Sequence, residues 1–322
     1  MASEQQRGSG IGSGEDAELV RGPLGRWVEQ SIKNPERVYQ ALFYIVTAFF
    51  LVTTLFPFYW LTIIALTPLN ALQNLTFFPK GFNAGVFVEV FQQVPFHLYM
   101  FNSFVLGIGT TVIVLLLASL AGYVFGRLRF PGKSLFMLGI LAISYFPPAA
   151  FFLPLFNLFN GNIGIPLGGG SMLAPPQLYN TPGAMILPFS ALFMPLSIFI
   201  LTTFYGQIPD GLEDAARIEG TTRLGALFRV IVPLSAPGVA TAGVLTFIAV
   251  YNEFFFSFLM NDGSVENWAP IVAGILDYQG QFETPYNLMA AASIVGVLPV
   301  AILVIIAQEK IVSGLTAGAL KE

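Results

Sequence analysis

The stretch NSFVLGIGTTVIVLLLASLAGYVFGRLRFPGK, residues 102–133, decides the fold. No charged residue stands between Asn102 and Gly126, and then Arg127, Arg129 and Lys133 arrive together around a turn marked by Pro131 and Gly132. A membrane-crossing helix needs roughly 20 mostly apolar residues. Basic residues crowd at the cytoplasmic end of such a helix. Residues 102–125 therefore read as a bilayer span, and the turn after them as its inner exit.

The same reading finds five more spans, at about 41–66, 134–156, 184–206, 238–260 and 288–307. Pro147, Pro148 and Pro154 interrupt the third, and Pro188 and Pro195 lie in the fourth. Proline kinks or ends a helix, and such breaks are tolerated where neighbouring helices or a water-filled path satisfy the freed carbonyls. Composition agrees: 322 residues are 55% hydrophobic and 10% charged, with a mean hydropathy of +0.73. Soluble domains carry about 25% charged residues. The fold class is an all-α membrane protein of six transmembrane helices.

Charge sets the orientation. Thirteen of the fourteen Lys and Arg precede the first span, follow the sixth, or lie between spans two and three or four and five; only Lys80 lies elsewhere. Both termini and the even-numbered connections are thus expected in the cytoplasm of a multi-pass protein of the cell membrane. The predicted organisation is a cytoplasmic tail and lead-in helix at 1–40, with a short surface helix near Pro35 and Arg37. A transmembrane domain follows at 41–307, and a cytoplasmic tail at 308–322. The polar first 40 residues give no reason to expect a cleaved signal peptide. Zero Cys rules out disulfides and thiolate chemistry, and a lone His97 rules out a His-based metal cluster. A net charge of −4 gives no reason to expect nucleic acid.

One inner connection is too polar to span and too long for a turn: IPDGLEDAARIEGTTRLGALFRVIVPLSAPG, residues 208–238. Pro209 and Asp210 open a helix, with Glu213 and Asp214 in the first turn, where the helix dipole favours acids. Gly220 and Thr221 break it, and a second short helix through Leu224, Leu227 and Phe228 runs to Pro233. Two short helices in a right-angled elbow are expected, Ala215 and Ala216 giving a smooth face. By spacing alone this is either a knob that docks into another protein or an amphipathic loop on the membrane surface.

The motif itself is more specific. Asp214-Ala215-Ala216, three residues, Gly220, nine residues and then Val230-Ile231-Val232-Pro233 resembles the Glu-Ala-Ala motif of binding-protein-dependent ABC importer permeases. Asp stands for the usual Glu, with Glu213 just before it. Residues 102–133, YNEFFFSFLM at 251–260 and GLTAGALKE at 314–322 resemble the carbohydrate (maltose-type) class of that family. The resemblance implies that 208–238 is a coupling loop seated on an ATPase. Glu213, Asp214, Ala215, Ala216, Gly220 and Pro233 are then the ATPase-coupling residues. It further implies a second homologous permease subunit, two ABC ATPase subunits that use ATP and Mg, and an extracytoplasmic solute-binding protein. The cargo would be a sugar or related polyol, and the chain itself would bind no cofactor and catalyse nothing.

Other features read less sharply. Gly132-Lys133-Ser134 is no phosphate loop, because Gly126 sits one residue too far away and the flanks are apolar spans. Glu253 is the one acid inside a predicted span, at a cost of roughly 2.5–3.5 kcal/mol on insertion scales. With Asn252 and Tyr251 it either lines a translocation pathway or serves as a structural hydrogen-bond partner. Tyr251, Phe254, Phe255, Phe256 and Phe258 either stack on sugar rings or pack against lipid and other helices. The rival class is an ion-coupled secondary transporter, which needs ionisable residues in several spans.

Overall fold

A computed structural model describes residues 35–168, 171–173, 177–280 and 284–319. The tail at 1–34, with the basic residues before Pro35, and the end at 320–322 lie outside them. Two compact units divide the chain at Trp60 and Leu61.

In the first unit the described residues belong to α1 (Pro35–Leu66), which begins at Pro35, so the expected short surface helix is simply its first turn. Tyr39, Phe43, Phe49, Phe50 and Val52 are exposed. Large apolar side chains on the outside suit a helix whose solvent is lipid.

In the second unit, α2 (Val86–Gln93), α3 (Phe96–Arg127), α4 (Lys133–Ile143), α5 (Ala149–Phe159) and α6 (Pro182–Tyr205) lead to a polar pair. That pair is α7 (Asp210–Ile218) and α8 (Arg223–Leu234). After it come α9 (Ala236–Tyr251), α10 (Phe255–Leu259), α11 (Ile271–Leu276) and α12 (Tyr286–Ala319). A short antiparallel hairpin, β1 (Ile165–Gly168) and β2 (Ser171–Leu173), interrupts the helical pattern. The sequence reading did not anticipate it.

Among the described residues, α1, α3, α6 and the Tyr286–Glu309 part of α12 are each long and apolar enough to cross a membrane. Six unbroken spans are not reached. The expected third span is two helices of 11 residues, α4 and α5, parted by Pro147-Pro148. Each is about 16 Å long, half a bilayer core. Neither proline can donate to the helical ladder, and each disfavours helical geometry in the residue before it. The expected fifth span, 238–260, also stops early: α9 ends at Tyr251. At its start, α8 and α9 meet at an angle of 84° about Ser235. Pro237 lacks the N–H that would have reached the Pro233 carbonyl, so the ladder opens there.

Helix α3 organises this unit and packs most extensively on α6. Their closeness comes from Gly122 and Gly126, a small-xxx-small pair. A Cβ on Gly122 would sit 2.9 Å from Leu201 Cβ, and one on Gly126 would sit 3.0 Å from the Thr202 carbonyl oxygen. At one end α3 joins a core with Tyr205, Leu227 and Ile231, beside α7 and α8. At the other, Phe96 and Tyr99 pack with Val86, Ile271, Tyr278 and Ala291.

Candidate functional site

The 208–238 segment folds as two short helices, and the residues that shape it act through backbone geometry. Pro209 sits at the N-cap of α7, and Asp210 and Glu213 lie in its first turn. Gly220 has φ +90°, a left-handed conformation that side-chain-bearing residues rarely adopt. It stops α7 and redirects the chain. Thr222 then caps α8, its Oγ1 accepting from the Gly225 N–H at 3.1 Å. A wider π-helical turn over Leu227–Ile231 precedes Pro233 and absorbs the clash that a helical proline makes with the carbonyl four residues back. A further bend, of 84°, follows at Ser235 between α8 and α9.

The two acids of the motif lie in different surroundings. Glu213 is buried. One of its carboxylate oxygens accepts from the Tyr123 hydroxyl, and the other from Arg127 Nε at 2.8 Å. The Arg127 side chain is 5% exposed, pairs with Asp210 at 3.0 Å, and donates to the Ile208 carbonyl. Asp214, by contrast, points outward with its side chain 65% exposed, 3.8 Å from Arg217. Ala215 is exposed and Ala216 half-buried, while Ile218 is 87% exposed. Leu212, Leu224 and Phe228 are exposed as well. A short helix held firmly from behind, with Leu212, Ala215 and Ile218 exposed beside the charged Asp214 and Arg217, offers the mixed apolar and polar surface that protein docking uses.

Burial alone would raise the Glu213 carboxyl, but hydrogen bonds from Tyr123 and Arg127 and the charges of Arg127 and Arg217 hold it below the usual carboxylate range. The anchorage is therefore complete at neutral pH and is lost as pH falls through that depressed value. We expect the α7 amides to keep their hydrogen-exchange protection, corrected for intrinsic rates, down to about pH 4.3 and to lose it only below. Loss of protection by pH 6 would contradict this anchorage.

The residues considered for a pathway lie at the end of α9. The Tyr251 hydroxyl is buried and donates to the Gly296 carbonyl at 3.0 Å. Asn252 is exposed, its amide donating to the Ile248 carbonyl at 2.8 Å. Glu253 lies beyond the helix and caps α10, taking N–H bonds from Phe256 and Ser257, each 3.0 Å. Of the aromatic residues, Phe256 is buried in a core with Leu106 and Met185, and Phe254 and Phe258 are exposed.

In the sequence Tyr123 is one residue of an apolar span, and Arg127 one of the basic residues that mark orientation. No local pattern links either to Glu213, 90 and 86 residues away.

Comparison with known proteins gives this geometry a context. The chain is 38% identical to the sulfoquinovosyl glycerol transport system permease protein SmoH of Agrobacterium fabrum, over 86% of this chain and 93% of that one. It is 34% identical to the trehalose transport system permease protein SugB of Mycobacterium tuberculosis, over 83% and 92%. A solved bacterial ABC transporter that imports the acidic polysaccharide alginate contains a chain of the same fold. That chain matches with a TM-score of 0.65 at 17% identity, covering 85% of this protein and 97% of its own length. Residues 116–316, which take in α7, α8 and the end of α3 that holds Glu213, match one family, and the chain belongs to it: the inner membrane components of binding-protein-dependent transport systems.

Proposed function

We propose that this chain is one of two homologous permease subunits of an ATP-driven importer, and that α7 and α8 are where the ATPase drives it. The observation that carries the reading is the orientation of α7: Asp214, Ala215 and Ile218 face outward while Glu213 is gripped from behind. Asp214 is then the acid that meets the ATPase, Ala215 and Ala216 allow close approach, and Gly220 and Pro233 keep the elbow stiff. Rigid-body motion passes through a stiff element better than through a flexible loop.

The distribution of Lys and Arg supports cytoplasmic termini and a cytoplasmic elbow. Two ATPase subunits supply the ATP and Mg chemistry, and this chain binds no cofactor and catalyses no reaction. An extracytoplasmic binding protein delivers the cargo, in keeping with the family's dependence on such proteins. The names of the two relatives support a sugar, glycoside or oligosaccharide as cargo. Asn252 and Glu253 border the path, and Tyr251 fixes its wall to α12.

The test is uptake into proteoliposomes holding this chain with its partner permease and ATPases. Di- and oligosaccharide uptake should require ATP on the elbow side and the binding protein on the other. Uptake driven by an ion gradient without ATP would contradict the proposal.

A further inference from the structure

Helix α7 is tied to its neighbours along the chain by 206–209 and 219–222, which are mostly exposed and contain Gly206 and Gly220. Gly220 sets the angle between α7 and α8, but such exposed connections carry little of the load to the spans. The stronger attachment is lateral, and it is to α3. Tyr123 and Arg127 stand one turn apart at the end of α3, and together they hold Glu213, Asp210 and the Ile208 carbonyl. The guanidinium uses Nε and both terminal nitrogens, so the planar fork fixes direction as well as distance. Buried ion networks add little net stability over apolar packing, so their value here is geometric.

The opposite end of α3 is bonded just as closely to the connection after α10. The Tyr99 hydroxyl donates to the Gly263 carbonyl at 3.0 Å and to Asp277 at 3.1 Å. The Asn102 amide donates to the carbonyls of Val265 at 2.9 Å and Ala269 at 3.0 Å. The Ile271 N–H donates to Ser103 Oγ at 2.7 Å. Between these ends α3 is one helix of 32 residues, with no proline inside it, about 48 Å long. A cavity of about 690 Å³ lies at that far end, lined by Tyr99, Asp262, Glu266 and Asp277.

We infer that Arg127 and Tyr123 are positioning residues that make α3 the rod carrying the motion of α7 across the membrane to the 263–277 connection. The inference rests on α7 being the ATPase-docking helix. It adds which helix receives the stroke and through which side chains.

The assembled complex in lipid vesicles, with cysteine-free partner subunits, provides the test, scored as solute moved per ATP hydrolysed and normalised to assembled complex. Chains that fail to fold drop out of that ratio. Arg127→Gln should lower it by about tenfold while ATP hydrolysis stays within about twofold of the parent and no longer responds to loaded binding protein. Because the chain has no cysteine, a Tyr123→Cys, Glu213→Cys pair can be joined by a short bifunctional thiol reagent. The unlinked pair should be uncoupled, and linking should restore coupling, since a covalent tie replaces the lost one. A wild-type ratio in Arg127→Gln, or a linked pair no better than the unlinked one, overturns the inference. Parent complex that moves solute with no ATP would instead overturn the docking reading beneath it.

Discussion

Gly220→Val is expected to reduce uptake to background while the protein still inserts into the membrane. Gly220 sits at φ +90°, and nothing lies within 4 Å of a Cβ added there. Crowding is therefore not the cause of failure; backbone conformation is. Holding a side-chain-bearing residue in such a region costs of order 1–3 kcal/mol, and β-branched residues suffer most. The chain relieves that strain by extending or unwinding α7, which turns Asp214, Ala215 and Ile218 away from their common face. Asn and Asp tolerate left-handed geometry better. Uptake should therefore fall in the order Gly, Asn, Asp, Val, with Gly220→Asp already severely impaired. Equal loss across all three variants would mean that bulk at 220 matters, as at a contact surface. Wild-type uptake by Gly220→Val would remove the stiff elbow from the account.

The second large effect falls on folding. Gly122→Leu should destabilise the protein by about 3 kcal/mol, because overpacked contacts of this sort cannot relax without moving a backbone. Its Cβ alone would lie 2.9 Å from Leu201 Cβ and 3.3 Å from backbone atoms of Leu201 and Thr202. The remaining leucine atoms would push α3 off α6, the most extensive helix pairing in the structure. Gly139→Leu is the control, since a Cβ there meets nothing within 4 Å. Thermal unfolding in detergent should show a sharply lowered midpoint, or no folded fraction, for Gly122→Leu and little change for Gly139→Leu. Similar midpoints for the two would mean that the tight approach of α3 and α6 is not a stabilising feature.

What could be read in advance followed physical range. The span at 102–125 was legible because lipid demands a long uncharged run, and α3 covers it with residues to spare at each end. The break at Gly220 was legible because a glycine between helix-forming segments signals a change of backbone conformation. Residues 134–156 were legible as an apolar stretch interrupted by Pro147 and Pro148, whose missing N–H groups split it into α4 and α5. Tyr251 to Met260 misled: Glu253 looked like an acid inside a span, yet its carboxylate starts a new helix by capping Phe256 and Ser257. The Glu213–Arg127 anchorage was out of reach because no periodicity spans 86 residues. The motif had left two adjacent acids, and only their burial separates Glu213 from Asp214.

Most directly, the central claim turns on what touches Ile218, 87% exposed on the free face of α7. An Ile218→Cys variant supplies the chain's only thiol, and the complex can carry one cysteine at the edge of the ATPase cleft. The two should cross-link in intact complex, with a yield that changes when ATP binds, and the introduced thiol should resist impermeant reagents added outside the cell. Labelling of that thiol from outside, or a failure to cross-link in any nucleotide state, would contradict the claim that an ATPase drives this chain through α7.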